Sequence, residues 1–536
     1  FRLKNVIFRP EVSSVTSGLK IVEKRFVYRR KKMSQWYSSK LVRLSELNDD
    51  EMKREILSEM TIKLRSLRTS ELQEIAPNID LTGLFAQLTS DDRHCIEEIC
   101  NNLGILMGSL EPDEIHRRYS AEMCRFIVHS EPAVRTLVLN ELKRAVENPE
   151  KVPLLLNNTN LITLAIERLG DEDLGVAKLA MAVGKKIGAT PEGAKTLYSG
   201  TLLRTMAKLL AKNDVVSFRV YEIVVDIAKS SHEGLEASAT SGFLNSLISV
   251  LEHDEVLLQL NALELLADLA MNEDGLNYLE QRDVLRKLGE KIGRAREDPL
   301  SNLLVPGLMK FFGALARSRP NEIFSKYPAV VSALFDVIDS GDVTLLGNAL
   351  DTLGHVASSV EGKYALQLIG DSMTCAMKKI GEIVEKFPTE YRIRGLENLA
   401  LIVGVDKTEQ DNRIVSLTKT WFDCLGEDPL GMIVSLCKQP FADIRQSSLE
   451  VLTSISTQTW GQEYIANCPG LIEFLLDRDI EAFKNCKEAK YRLIKNLCDA
   501  DNDVIDSWTL EKLKKFIRQG PFYVDTETEI ATEGAS

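Results

Sequence analysis

Apolar residues recur along most of the chain at intervals of three and four positions, which is the spacing of one face of an α-helix. Two stretches show the pattern clearly, one after Asp214 and one after Asp298. Their apolar positions are Val220, Ile223, Val224 and Ile227 in the first stretch, and Leu308, Phe311, Phe312 and Leu315 in the second. We expect each stretch to form an amphipathic helix of about four turns.

An acidic residue marks a turn ahead of each long apolar stretch, and it returns with the period of armadillo and HEAT repeats, ~40–47 residues. The residues concerned are Asp91, Glu131, Asp171, Asp214, Asp254, Asp298 and Asp342. Asp or Asn at such a position can accept hydrogen bonds from the free amides at a helix start. Shorter apolar stretches precede several of these turns, at 161–169, 202–210, 243–251 and 330–338. The repeat is therefore predicted to be a shorter helix, an acidic turn and a longer helix.

A second mark, an acidic residue followed by glycine, recurs with the same period. Its positions are Glu192-Gly193, Glu233-Gly234, Asp274-Gly275 and Glu361-Gly362. Glycine tolerates the left-handed backbone that ends many helices. We expect these glycines to end the longer helix of each repeat.

A single helix pair of this kind cannot bury its apolar face, so neighbouring repeats must stack. The fold class predicted is all-α, an armadillo/HEAT-like α-solenoid superhelix of about ten two- to three-helix repeats. We expect a basic leader at 1–32, N-terminal capping helices at 33–75, the solenoid at 76–520 and an acidic disordered tail at 521–536. The repeat boundaries are least regular after Lys386, where prolines interrupt longer connections.

Charge and cysteine usage narrow the classes of function and compartment. The net charge is −13, and the leader at 1–32 holds ten Lys/Arg against two acids, so residues 33–536 carry −21. This acidic balance argues against nucleic acid, which needs a basic footprint, and favours basic or neutral protein partners. The leader loosely resembles a transit peptide, but upstream sequence or a gene-model extension is the interpretation we favour, and we expect neither folding nor binding to need it.

No apolar run reaches the ~20 residues that span a bilayer, so no membrane partner is expected. The nine cysteines form no CxxC pair and indicate reduced thiols. These features predict a cytoplasmic protein that also reaches the nucleus.

The sequence contains few candidates for catalytic or metal chemistry. The segment 188–196 is close to a phosphate-binding loop, but Ala194 separates Gly193 from Lys195 and no strand precedes it. Among the six histidines only His94 lies near cysteines, Cys95 and Cys100, and a zinc site would need more ligands. We expect no enzymatic activity, no cofactor and no metal.

Four segments carry a resemblance to a known family: Asn213–Glu222, Pro306–Ala316, Val360–Lys363 and Gly520–Val524. In this order they resemble the 26S proteasome non-ATPase regulatory subunit 5 family, whose members chaperone assembly of the regulatory particle base. Weaker similarity extends over about residues 80–536. The resemblance implies that the chain holds the C-terminal domain of an AAA-ATPase subunit while the 19S base is assembled, together with associated base subunits. It also implies absence from the mature 26S proteasome and a monomer before complex formation.

A generic armadillo-repeat transport or scaffold adaptor is the alternative from another class. Nuclear-import adaptors resemble one another in a ladder of Trp and Asn on successive inner helices. The tryptophans of this chain, Trp36, Trp421, Trp460 and Trp508, occupy unrelated repeat positions. The sequence therefore favours the proteasome interpretation.

Polar residues between the apolar positions are the candidates for partner binding. Arg219, Glu222 and Asp226 lie off the apolar face of the helix after Asp214. Lys310 lies twelve residues after Asp298, the same offset that Asp226 has from Asp214. Because the longer helix of an armadillo repeat lines the concave surface, we expect these four side chains to point into one groove. A solvated helix face with charge pairs is the alternative.

Overall fold

The computed structural model describes residues 33–47, 49–90, 92–294, 299–500 and 504–524. The predicted leader and most of the predicted tail lie outside this part of the chain. All regular secondary structure within it is helical, as the repeat pattern predicts. The chain divides into two compact units, Phe1–Leu247 and Ile248–Ser536.

The helices of the first unit are α1 (33–46), α2 (Asp50–Arg65), α3 (Thr69–Ile75), α4 (Thr82–Gln87), α5 (Arg93–Gly108), α6 (Pro112–Arg118), α7 (Ser120–Phe126), α8 (Pro132–Val146), α9 (Val152–Leu156), α10 (Thr159–Glu167), α11 (Leu174–Gly188), α12 (Pro191–Leu197), α13 (Gly200–Leu210), α14 (Asp214–Ser230) and α15 (His232–Thr240). Helix α16 (Phe243–Ser249) contains the boundary between the units.

The helices of the second unit are α17 (Val256–Ala270), α18 (Glu273–Gln281), α19 (Val284–Arg294), α20 (Pro299–Ser318), α21 (Pro320–Lys326), α22 (Pro328–Ser340), α23 (Val343–Ala357), α24 (Val360–Gln367), α25 (Asp371–Lys386), α26 (Thr389–Val403), α27 (Asn412–Asp423), α28 (Pro429–Cys437), α29 (Ala442–Ile455), α30 (Thr459–Asn467), α31 (Leu471–Leu476), α32 (Lys484–Cys498) and α33 (Ser507–Gln519).

A repeat consists of a short helix, a second short helix and a long helix, in the order α12, α13, α14. The long helices pack against one another in chain order and carry many of the buried apolar residues. In the first unit these are α5, α8, α11 and α14, and in the second they are α17, α20, α23, α26, α29 and α32. The predicted two- to three-helix repeats are confirmed, and the amphipathic stretch after Asp214 is a helix of 17 residues.

Polar residues at the acidic turns start several long helices, as the sequence predicts. The side chains of Asp173, Asn213 and Asp342 accept hydrogen bonds from backbone amides of the first helical turn, each at 2.9 Å. These bonds satisfy amides that have no partner inside the helix. The capping residue of α14 is Asn213, one position ahead of the Asp214 that marks the period.

The recurrent glycines do not end the long helices, which corrects the sequence-based expectation. Gly193, Gly234, Gly275 and Gly362 each occupy the third position of the next short helix, and none has a positive φ. A Cβ added at Gly193 would lie 1.9 Å from the carbonyl oxygen of Ile187 in the preceding long helix. At Gly362 the same distance, to the Val356 oxygen, is also 1.9 Å. Glycine is therefore required because the short helix begins directly against the end of the long one.

The same contact occurs at Gly461, which the acid-glycine pattern does not mark. A Cβ at this position would lie 2.1 Å from the carbonyl oxygen of Ile455. The acid is thus dispensable at this turn, and what Gly461 shares with Gly193 and Gly362 is the missing side chain. A residue with hydroxyl or amide groups usually precedes the short helix, and Thr190 accepts a hydrogen bond from the Gly193 amide at 3.2 Å.

A buried polar network joins the N-terminal helices to the first long helix. The amide nitrogen of Asn102 donates to Thr61 Oγ1 at 2.8 Å, and Tyr37 donates its hydroxyl hydrogen to Asn102 Oδ1 at 3.0 Å. Asn102 and Tyr37 are fully buried. Buried polar groups need such partners, so this network fixes how α1 and α2 pack on α5.

We expect Gly193→Ala to destabilise the first unit, because its Cβ would overlap a backbone carbonyl that cannot rotate away. The loss of unfolding free energy should be about 1–3 kcal/mol, the usual range for overpacking. Gly108→Ala is the matched control, since a Cβ there meets nothing within 4 Å. Urea unfolding followed by circular dichroism measures both variants. Equal stability of the two variants would show that the turn can widen.

Candidate functional site

The exposed side of the long helices is the surface that stacking leaves available. The shorter helices pack against these long helices in each unit. The polar side chains that remain exposed on a long helix form a strip along it, away from the buried apolar positions. All four sequence-predicted binding residues lie on such strips, three on α14 in the first unit and Lys310 on α20 in the second.

Arg219 is half-buried and bonded to the backbone of an earlier repeat. Its guanidinium donates to the carbonyl oxygens of Leu169 at 2.6 Å and Asp171 at 3.2 Å. These carbonyls lie in the acidic turn between α10 and α11. Lys212 donates to the Gly170 oxygen in the same turn at 2.7 Å. Arg219 therefore joins two repeats of the first unit.

Glu222 and Asp226 share one cation, Lys185 of the adjacent helix α11. The Lys185 ammonium lies 2.5 Å from a Glu222 carboxylate oxygen and 2.7 Å from one of Asp226. Burial opposes the charged form of Lys185, but hydrogen bonds to the two acids outweigh it and raise the pKa of this lysine. The cluster keeps one net negative charge, and both acids remain partly exposed.

Sequence analysis did not single out Lys185, although its position on the long helix one repeat before Glu222 could have identified it. The Lys185 side chain stays partly exposed when the two helices stack.

Lys310 differs from the other three predicted residues. Its side chain is exposed, and among the described residues it has no hydrogen bond and no ion pair. It follows the buried pair Leu308 and Met309. Partner binding by Arg219, Glu222, Asp226 and Lys310 stays a prediction, and the geometry makes Lys310 the most available of them.

Lys310 belongs to a row of charged residues on four successive long helices of the second unit, which we call the charged row. Each member directly follows a buried pair of its own helix, so the members occupy equivalent positions. The charged row consists of Glu264 on α17, Lys310 on α20, Asp351 on α23 and Glu397 on α26. Burial, followed by the charge of Asp351, raises the pKa of Glu397. The row is thus acidic apart from one lysine.

Lys363 is the first of two buried lysines that would be chemical candidates on pKa alone. Burial lowers its pKa to about 8. A lysine with so low a pKa can act as a base or nucleophile when substrate reaches it. Lys363, however, is only 1% exposed, and its ammonium donates to the carbonyl oxygens of Ala357 and Leu401, the latter at 2.9 Å. It joins the ends of α23 and α26 and has no access to a substrate.

Lys490 has a comparable structural position near the end of the second unit. Its ammonium donates to the carbonyl oxygens of Phe474 at 2.9 Å and Asp477 at 3.0 Å, and lies 3.4 Å from a Glu481 carboxylate oxygen. Arg445 also pairs with Glu481. Lys490 and Glu481 are both nearly inaccessible, and burial lowers the pKa of Lys490. The group holds α31 and α32 together rather than facing a substrate.

The segment that resembles a phosphate loop is committed to a helix junction. It runs from the end of α11 into α12, and the Thr190 hydroxyl oxygen already accepts a hydrogen bond from the Gly193 amide. In the described residues no group of three or more His, Cys, Asp or Glu side chains is placed to hold a metal ion. No helix in the same part of the chain is long and apolar enough to cross a membrane.

Comparison with known proteins gives a family and a fold. A family model described as proteasome non-ATPase 26S subunit matches residues 33–536. The human 26S proteasome non-ATPase regulatory subunit 5 is 32% identical over 475 residues, which cover 88% of this chain and 94% of the human protein. The protein of the same name from Drosophila melanogaster is 30% identical over 442 residues, 82% of this chain and 85% of the fly protein.

Among solved structures, a crystal structure of a Kap121p mutant has a TM-score of 0.57 and is 12% identical. The similarity covers 86% of this chain and 45% of the Kap121p chain. At this identity the likeness concerns the fold alone, and it confirms the HEAT/armadillo-type α-solenoid.

We expect Arg219→Ala to destabilise the first unit by about 1.5–3 kcal/mol, the usual worth of hydrogen bonds from a charged donor. The truncation would leave the Leu169 and Asp171 carbonyls without this donor. Glu222→Gln on the same helix is the control and should change stability by less than about 1 kcal/mol, because its ion pair is exposed. Thermal and urea unfolding measure both. If Arg219→Ala leaves the stability unchanged, the Arg219 side chain is not needed for the fold and is available for a partner.

We expect Lys363 to make stability depend on pH above neutrality. Its pKa is about 8 in the folded chain and 10.5 when exposed. Between these values the unfolded chain binds the extra proton, so stability rises with pH across this window, by about 3 kcal/mol in all. Lys363→Met should remove this rise. Urea unfolding at a pH below 8 and at one near 10.5 measures the difference between the two proteins, and parallel pH profiles would contradict the assignment.

Proposed function

The chain belongs to the proteasome non-ATPase 26S subunit family, and from this premise we propose that it is a non-enzymatic assembly chaperone of the proteasome regulatory particle base. It holds an AAA-ATPase subunit by its C-terminal domain, together with associated base subunits, and leaves before the 26S proteasome is complete. It acts in the cytoplasm and the nucleus, as a monomer until it binds. The family match and the helical-repeat fold support a proteasome-related role.

The observation that carries the proposal is the way the polar residues of the long helices are placed. Stacking consumes the apolar faces and leaves strips of charged side chains on successive helices, such as the charged row of the second unit. A series of equivalent side chains along a stack suits recognition of an extended protein surface. Chemically unusual groups such as Lys363 are enclosed instead, so the exposed chemistry is that of binding.

A transport or scaffold adaptor is the second candidate, and only the fold favours it. The Kap121p likeness is a likeness of architecture at 12% identity. The relatives that match over most of their length are proteasome subunits by name.

The test is affinity purification of the tagged full-length chain from cells, followed by quantitative mass spectrometry. We expect enrichment of the base ATPase subunits over an untagged control, with one ATPase subunit bound directly when purified proteins are mixed. Mature 26S particles isolated from the same cells should lack the chain. Recovery of transport cargo without base subunits would favour the adaptor, and stoichiometric presence in mature particles would contradict a chaperone that departs.

A further inference from the structure

Helix α20 presents two cations on one exposed strip. Lys310 and Arg317 are both exposed and lie seven residues apart, which is two helical turns or about 10.5 Å along the axis. Among the described residues, neither side chain has a hydrogen bond or ion pair with an acid. The charge of Arg317 acts on His355 of α23, whose pKa is lowered by burial and then by the Arg317 charge.

Some cations on other long helices are paired across the stack. Arg394 of α26 lies 3.6 Å from an Asp351 carboxylate oxygen on α23. Arg492 of α32 pairs with Glu450 of α29, and Lys185 of the first unit pairs with two acids. Among the described residues the two cations of α20 have no such pair, although acids lie on the long helices on both sides of it. Its two cations are therefore not used to hold the stack together.

The surface between the two cations carries only a small side chain. Ala314, the half-exposed residue between them, contributes only a methyl group. Helix α20 also packs tightly on both neighbours at glycines: a Cβ at Gly307 would lie 2.5 Å from Leu260 of α17, and one at Gly313 would lie 2.6 Å from Thr352 of α23. A partner backbone can approach this strip closely while its side chains reach Lys310 and Arg317.

The helices beside α20 carry the opposite charge at the position of Lys310. Glu264 lies on α17 and Asp351 on α23, and both are exposed, although Asp351 also lies 3.6 Å from Arg394 of α26. Packed helices are about 8–10 Å apart, so the sign of the charged row changes twice over roughly 20 Å. Such a pattern fixes the register of a partner, because like charges brought together across an interface cost binding energy.

We propose that the α20 strip is a docking surface for an acidic segment of the ATPase partner, which presents two carboxylates about two helical turns apart to Lys310 and Arg317. Basic side chains of the same partner lie on either side and face Glu264 and Asp351. This inference rests on the proposed function for the identity of the partner. Charge complementarity supplies the chemistry, and Arg317 becomes a specificity residue beside Lys310.

A uniformly basic partner is the competing occupant, since residues 33–536 carry a net charge of −21. The two occupants predict opposite responses to one change. Removing the cations of α20 would strengthen the attraction of a purely basic surface. The same change would leave two partner carboxylates facing acids, which weakens binding in our proposal.

The experiment measures binding of the base ATPase subunit recovered by affinity purification, using isothermal titration calorimetry with the full-length chain at physiological ionic strength. The double variant Lys310→Glu with Arg317→Glu should weaken binding at least tenfold and keep its helix content and unfolding temperature. The control is Lys208→Glu with Lys378→Glu, which changes net charge equally at exposed positions of helices α13 and α25, outside the stack of long helices. It should bind within about twofold of the original chain, because it alters only long-range attraction.

The outcomes separate this inference from the proposed function. If the original chain binds no base subunit, both fail. If it binds and the α20 variant binds equally well, the docking surface is elsewhere and only this inference fails. Tighter binding by the α20 variant would establish a basic occupant and overturn the acidic one. If the α20 variant and the control weaken binding equally, the effect comes from net charge alone, and the proposal is also overturned.

Discussion

The packing of each long helix against the next is the interaction on which the rest of this structure depends. No repeat can bury its apolar face alone, so the stack must be continuous within each unit. Close packing explains why side chains are missing at defined places. Gly193 and Gly362 begin short helices against a carbonyl of the preceding long helix, and Gly313 admits a threonine from the next one. The stack thus selects residues by the space it leaves.

Stacking also creates many helix ends whose backbone groups need partners, and basic side chains supply many of them. Arg219 and Lys212 donate to carbonyls of an earlier turn, while Lys363 and Lys490 do so in the interior. An unpaired buried carbonyl costs about as much as a lost hydrogen bond, which explains why charged groups are tolerated there. The two cations of α20 are not used in this way, although acids lie on the long helices on both sides of them.

The buried lysines show why a shifted pKa and a function are different observations. Burial lowers the pKa of Lys363 and of Lys490, as it does in many active sites. Both ammonium groups are enclosed and face backbone carbonyls, where no substrate can reach them. Lys310 has the opposite combination, an exposed side chain at a place repeated along the stack. Exposed side chains that recur at the same place along the stack therefore identify the recognition surface of a solenoid better than shifted pKa values do.

The sequence by itself determined the helical repeat, its period, the amphipathic helix after Asp214 and the family, because apolar spacing and turn residues are local properties. Only the tertiary structure decided what Gly193 and Arg219 do, since both act on atoms of another element. Gly193 was expected to end a helix and instead makes room for a carbonyl. Arg219 and Lys310 both lie between the apolar positions of a long helix, yet among the described residues Arg219 bonds to a neighbouring turn and Lys310 bonds to none. Whether a polar residue bonds within the fold or remains exposed depends on distances between repeats. The spacing of apolar residues along a helix does not give those distances.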